Sequence, residues 1–301
     1  MQTRLSPHLR AILQALFVTF LWSTSWVFIK FGLEDIPPIT FAGLRYFLAF
    51  LVLIPVYLRT KSTTPLRTLT RRDWRNLLGL GLLYYTITQG SQFIGLNYLP
   101  AITFSLLLNG TAVIVAILGI FILHEFPTRL QWLGMLVFLV GVCLFFYPFV
   151  IPAGQTFGYL IAIVHILATS FSSIVGRGIN RQGRIHPLTV TLVSMGIGSV
   201  CLLGIGLFSE PIPHLNLTSW AIIAWLAVVN TAFAFTLWNH TLRTLSAMES
   251  SVINNTMLIQ ITILAWIFLG ETLTRVEIIG LVVAGLGALL VQLRFSNRGK
   301  A

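Results

Sequence analysis

The chain has 301 residues, of which 56% are hydrophobic and 9% charged, against roughly 25% charged in an ordinary soluble domain. A mean hydropathy of +0.89 leaves too little polar surface to clothe a body in water, which excludes a soluble enzyme, a disordered chain and a disulfide-stapled domain. The net charge of +11 raises nucleic acid as a partner, a question that the placement of the charges decides below. Cys143 and Cys201 sit in apolar stretches and read as buried thiols. The first apolar run is too long for a cleavable leader and has no small-residue cleavage site behind it. A polytopic membrane protein is expected.

A helix rises 1.5 Å per residue, so about 20 mostly apolar residues cross a hydrocarbon core about 30 Å thick. In chain order the candidate spans are 11–31, 39–58, 77–97, 101–123 and 130–149. A second group follows at 156–176, 187–208, 219–242, 247–269 and 276–294. No charge occurs from Asn76 to Leu123, a stretch long enough for two spans. It breaks at Asn97-Tyr98-Leu99-Pro100, because proline suits the first turn of a helix and disrupts the interior. The next fused stretch breaks between Pro148 and Gln155, around Pro152 and Gly154. The predicted fold class is an all-α integral membrane protein of ten transmembrane helices.

With the N-terminus in the cytoplasm, ten spans place sixteen basic residues inside. They are Arg4, Arg10, Arg59, Lys61, Arg67, Arg71, Arg72, Arg75, Arg129, Arg177, Arg181, Arg184, Arg243, Arg294, Arg298 and Lys300. Lys30 and Arg275 fall outside, and Arg45 lies within a span. This is a strong positive-inside bias, expected of a plasma (inner) membrane protein with both termini cytoplasmic. It accounts for the net charge without nucleic acid. The expected partners are the lipid bilayer and a small-molecule substrate.

Shifting the sequence by 146 residues brings its halves into register. Trp74 falls on Trp220, Ala101 on Ala247, Ser105 on Ser251 and Asn109 on Asn255. Glu125 falls on Glu271, Thr128 on Thr274, Arg129 on Arg275, Gly134 on Gly280 and Gly141 on Gly287. Identity over 73–148 is only about one in five, the weak internal symmetry of duplicated transporter halves. Residues 1–150 and 151–301 therefore read as two five-helix repeats. Five is odd, so the second repeat enters the membrane from the opposite face. An inverted repeat around a midplane site is the architecture of alternating access.

Particular segments resemble a known family. Phe20-Leu21-Trp22-Ser23-Thr24-Ser25-Trp26-Val27-Phe28-Ile29-Lys30 is similar to the opening span of EamA-type members of the drug/metabolite transporter superfamily. Leu44-Arg45-Tyr46 resembles the Arg-aromatic pair of the second span. Leu123-His124-Glu125-Phe126-Pro127-Thr128 and Leu269-Gly270-Glu271-Thr272-Leu273-Thr274 resemble the segments that close each half, with His124 where the family usually has glycine. The resemblance covers nearly the whole chain. It implies a ten-helix transporter of small metabolites, often amino acids or related solutes, frequently in the export direction.

The polar residues sharpen this. Every acidic residue sits at or near a span end, so no mid-depth carboxylate is available to exchange protons for cationic drugs. Glu125 and Glu271 are expected to cap the helix that follows each of them. Gly134, Gly141, Gly280 and Gly287, with Ala284 and Ala288, form faces for close packing in the fifth and tenth spans. Arg45 lies about two turns inside its span; Glu34 and Asp35 are its expected partners in a structural ion pair, and the functional readings are a gate charge, with Lys30, or a contact to a substrate carboxylate. His165 is the mid-depth imidazole, read as a packing residue before a proton relay.

The substrate cavity is expected to draw on Trp22 and Ser25, Tyr85, Gln89 and Gln92, and Asn109. From the second half it draws on His165 and Thr169, Asn230 and Trp238, and Asn255 with Gln260. Amides are costly against lipid, so each faces a cavity or bonds across helices. Such a lining suits a neutral or zwitterionic metabolite. A nucleotide-sugar or phosphate-ester carrier would need more cations than Lys30 and Arg45. No histidine pair at ligand spacing, paired acids or activated serine marks a metal, cofactor or catalytic site. A non-transporting scaffold would have no need of the repeat.

Overall fold

The computed structural model describes residues 6–60, 63–123, 127–181, 183–241, 244–245 and 247–292. Arg4, Lys61, His124, Glu125, Arg243, Arg294, Arg298 and Lys300 lie outside the described residues, as do the side chains of Arg177 and Arg181. Helices α1 (Pro7–Gly32) and α2 (Pro38–Arg59) are continuous. Helix α3 runs from Arg71–Leu80 through a π-helical stretch, Gly81–Thr88, into Gln89–Tyr98. Helix α4 comprises Ala101–Leu108 and, beyond Asn109, Gly110–Leu123. Then come α5 (Arg129–Phe145), α6 (Thr156–Arg181) and α7 (Pro187–Ser209). Helix α8 joins Leu217–Ala227 through the π-helical Val228–Phe233 to Ala234–Thr241, followed by α9 (Ala247–Leu269) and α10 (Arg275–Gln292). Among the described residues seven helical stretches are long and apolar enough to cross a membrane, and Arg129–Phe145 is a shorter apolar helix.

Local chemistry sets the helix starts. Pro7, Pro38 and Pro187 stand in the first turns of α1, α2 and α7, where proline costs no hydrogen bond. Thr70 and Asp73 close a capping box on α3, and 146 residues on Asn216 caps α8 through the backbone N–H of Ser219 at 2.7 Å. Thr128 with Gln131 boxes α5. At the same spacing, Thr274 with Glu277 boxes α10, at 2.6 and 3.3 Å. Both π-helical stretches are held by a threonine hydroxyl that donates five residues back, Thr88 to Leu83 O and Thr231 to Leu226 O. A widened turn frees a carbonyl, and the hydroxyl satisfies it.

The helices pair by repeat. Helix α2 packs on α7 and α5 on α10, while α1 packs against α8 and α9 as α6 packs against α3 and α4. The α5–α10 contact is antiparallel and made by glycine. A Cβ on Gly134 would strike the backbone at Gly287 and Val291, and one on Gly141 that of Ala284. One on Gly280 would meet Phe145, and one on Gly287 Phe138. All four matched glycines therefore serve one interface, where backbones touch and gain dispersion energy. The outer flanks expose Trp132, Leu136, Val282 and Leu286, as a lipid-facing surface should. Cys143 shares that exposure and Cys201 is half-buried. This corrects the expectation of buried thiols: an apolar stretch in a membrane helix turns part of its circumference to lipid.

Two outcomes follow from these contacts. Gly141→Leu should lower the melting temperature of the purified protein, by an overpacking cost of about 1–3 kcal/mol. Gly79→Ala, where an added Cβ meets nothing within 4 Å, is the control and should leave it unchanged or raise it. Equal melting of Gly141→Leu and wild type would refute the backbone contact. At the α3 start, the hydroxyl and then the backbone N–H of Thr70, with a smaller contribution from Arg184 at 3.3 Å, hold the Asp73 carboxyl below its ordinary value of 3.8. A depressed carboxyl stabilises the fold above its ordinary pKa, and that contribution fades as pH falls through the lowered value. Asp73→Ala should therefore melt below wild type at neutral pH, with the gap closing in acid below pH 3.8. A gap independent of pH would rule out the ionised cap.

Candidate functional site

The site begins with the break in α4. At Asn109 the backbone N–H bonds back to Leu106 O at 3.1 Å, and the side-chain amide donates to Ser105 O at 2.8 Å. Asparagine competes with the helical ladder in this way. The interruption divides α4 at Asn109 and sets this residue beside a cavity of about 400 Å³. The cavity lies between α1, α4, α6 and α9. Ser105, Asn109 and Thr111 line it from α4, and His165, Thr169 and Ser173 from α6. Asn254, Asn255 and Met257 line it from α9 and Trp26 from α1, with Leu108, Ala112, Val115, Leu258 and Ile261 between them. Amides, hydroxyls, one imidazole and apolar surface make up the whole lining. Its hydrogen-bond capacity can orient a solute of matching polarity.

The walls are fixed by a second set of bonds. His165 is buried, with Nδ1 at 3.3 Å from Ser91 Oγ and its ring edge-on to Phe104 at 5.8 Å. Ser91 Oγ donates to Thr88 O at 2.9 Å, which ties the imidazole of α6 to α3. Phe104 also packs against Trp26 at 6.0 Å. Thr169 Oγ1 reaches Thr88 Oγ1 at 3.5 Å.

The α4 N-terminal end of the cavity is tied across the repeats. The Glu271 carboxylate accepts from Ala101 N at 2.6 Å and Ile102 N at 2.9 Å, which are free donors at the start of α4. Lys30 Nζ donates to Leu99 O at 2.8 Å, immediately before that start. The expectation that Glu271 caps the following helix is corrected here. Helix α10 has its own box in Thr274 and Glu277, so the carboxylate serves a helix of the other half. Glu210 does the same for α2, accepting from Ile39 N, Thr40 N and Thr40 Oγ1 at 3.0, 2.7 and 2.8 Å.

Of the residues expected in the cavity, Asn109, His165, Thr169 and Asn255 line it. The others are placed elsewhere in the bundle. Gln260 joins α9 to α1 through Ser23 Oγ and Thr19 Oγ1 at 3.0 and 3.2 Å. Asn230 is fully buried and donates to Leu21 O and Thr24 Oγ1, binding α8 to α1. Trp22 lies on Phe235 and Trp238 at 5.3 and 5.2 Å. Ser25 Oγ bonds back to Trp22 O. Gln89 accepts from Tyr46 Oη at 2.6 Å, Gln92 is half-buried in α3, and Tyr85 lines a smaller hollow with Tyr84, Ser172 and Ser194.

Arg45 departs from expectation as well. It is buried, and among the described residues no carboxylate lies within ion-pair distance of it. Glu34 and Asp35 stay exposed in their loop, and Thr231 takes the Nε hydrogen bond at 3.2 Å instead. Trp26, Ser105, Thr111, Ser173 and Asn254 line the cavity without having been singled out. Ser105 carried a signal, its match to Ser251 across the repeat.

Comparison with known proteins agrees with this architecture. The chain matches the EamA-like transporter family twice, over residues 9–147 and 156–293. It is 22% identical over 293 residues to the uncharacterized transporter YoaV of Bacillus subtilis (strain 168), covering 96% of this chain and 99% of that one. A probable amino-acid metabolite efflux pump of Salmonella typhimurium is 27% identical over 294 residues, covering 90% and 92%. A crystal structure with 17% identity superposes with a TM-score of 0.68 over 94% of this chain and 96% of that one, sharing the fold. Two family matches, one in each half of a helical bundle closed by glutamate caps, establish that the chain belongs to the EamA-like transporter family of the drug/metabolite transporter superfamily.

Proposed function

We propose that this membrane transporter moves a small neutral or zwitterionic, amino-acid-like metabolite across the plasma membrane by alternating access, in the export direction. The observation that carries the reading is the cavity between α1, α4, α6 and α9, whose lining among the described residues holds amides, hydroxyls and an imidazole but no Lys, Arg, Asp or Glu. A polyanion would meet no countercharge there, which disfavours the phosphate-ester alternative. The name of the Salmonella relative, an amino-acid metabolite efflux pump, supports the same substrate class. In this reading all of α1 to α10 cross the bilayer, as two inverted repeats dividing near residue 150, with both termini in the cytoplasm. The antiparallel α5–α10 contact and the basic-residue bias support that arrangement.

Reconstituted into liposomes loaded with amino acids, the protein should release a subset of them. Asn109→Ala and Thr169→Val should each cut the flux about tenfold, the worth of one hydrogen bond near 1.4 kcal/mol, while melting close to wild type. Full flux in both variants would remove the cavity from the pathway. For topology, a single cysteine at position 67 should label from the cytoplasmic side and one at 216 from the opposite side. Labelling of position 67 from outside would overturn the inverted arrangement.

A further inference from the structure

Arg45 is a charge without a counter-ion. Its residue surface is 4% exposed, and it stands about 10 Å inside the start of α2 at 1.5 Å per residue. Nε is committed to Thr231 in the π-helical stretch of α8. The guanidinium carbon lies 5.1 Å from the Tyr46 ring centroid and 6.0 Å from that of Phe93 on α3. The terminal nitrogens have no hydrogen bond among the described residues. They are also not fully sealed, since the sealed side-chain polar atoms without partners are Trp22 Nε1 and Asn230 Oδ1. The guanidinium fork, set among α2, α3 and α8, thus keeps a small accessible surface without a bonding partner among the described residues. Glu210, the carboxylate at the head of the same helix, is consumed by Ile39 and Thr40. A guanidinium held on aromatic faces and short of an anion is matched in shape and charge by a planar carboxylate, which it grips with two parallel bonds.

We propose that Arg45, which stands apart from the lining of the cavity between α1, α4, α6 and α9, holds the carboxylate of the transported metabolite at a gate on its path, so that the substrate class is a solute with one carboxylate. This rests on the amino-acid-like reading above. A phosphate dianion fits less well. Lys30 is engaged with Leu99 O, and the α2 and α4 N-termini are already occupied by Glu210 and Glu271. Among the described residues buried within the helices, the charge of Arg45 therefore remains on offer.

The test is thermal stabilisation of the purified full-length protein by three probes: the twenty standard L-amino acids, the corresponding α-amides, and inorganic phosphate. Ligands that bind the folded state raise its melting temperature. The acids should stabilise wild type, with the amides at least about tenfold weaker and phosphate inert. Arg45→Gln should weaken the response to acids by about tenfold to a hundredfold, the loss expected for bonds to a charged group, and Arg45→Lys should do so less. The acid–amide comparison needs no variant, so misfolding of Arg45→Gln does not blunt it. Amides as effective as acids, or an undiminished response in Arg45→Gln, overturn the assignment of Arg45 and leave the transport reading standing. A response to phosphate alone overturns the carboxylate. A wild type indifferent to acids and amides overturns the amino-acid-like substrate, and this inference with it.

Discussion

Hydrocarbon offers a backbone N–H or C=O no water to turn to, and each one left unpaired costs several kcal/mol. Every helix end in this bundle confronts that constraint, and the answer given at α2 and α4 shapes the molecule. Their free donors are satisfied by Glu210 and Glu271, carboxylates supplied by the other half of the chain. A charged acceptor forms stronger bonds than a neutral one, and it also sits favourably at the positive end of the helix dipole. The caps therefore tie the two repeats together at the helix ends, while the glycine faces of α5 and α10 tie them along their length. The first kind of joint can be released by exchanging donors; the second, with backbones in contact, cannot open without forfeiting its packing.

That division of labour locates movement. The interior between α1, α4, α6 and α9 has to change shape if a solute is to pass, and the irregular turns lie in α4 and in the neighbouring α3 and α8. Helix α4 breaks at Asn109, and α3 and α8 carry π-helical stretches with their own threonine braces. Widened or broken turns are common at functional sites because the freed backbone groups can exchange partners at low cost. The pairs α2–α7 and α5–α10 show no such interruption. They are the frame.

How much of this could be read from the chain depended on distance along it. The capping boxes at Thr70, Thr128 and Thr274 involve residues three apart, so spacing alone carries them. The break at Pro100 rests on the chemistry of one residue, and the helices do end and restart there. The glycine faces were legible because helical period fixes which residues share a stripe. The partners of Glu271 and Glu210 lie 169 to 171 residues away, beyond any local rule. The cavity was half legible for a related reason. Polarity at mid-span shows that a residue avoids lipid, and it does not show whether the residue turns to a cavity or to a neighbouring helix. Asn109 and Asn230 look alike in sequence; one lines the cavity and the other stitches α8 to α1.

The repeat adds a final constraint. Duplicated halves start with equal chemistry, so any directional preference must come from where they differ. Asn109 and Asn255 remain matched and face the same cavity. The helix-end joints have diverged. At α2 the third residue, Thr40, meets a carboxylate. At α7 the third residue, Thr189, exchanges neutral bonds with Thr64, its Oγ1 accepting from the backbone N–H at 3.2 Å and donating to the carbonyl at 3.3 Å, while His186 Nδ1 caps the helix start. A charged cap outweighs a neutral one by roughly a factor of two in bond strength. The charged joint at the start of α2 is accordingly the firmer of these two contacts between the halves.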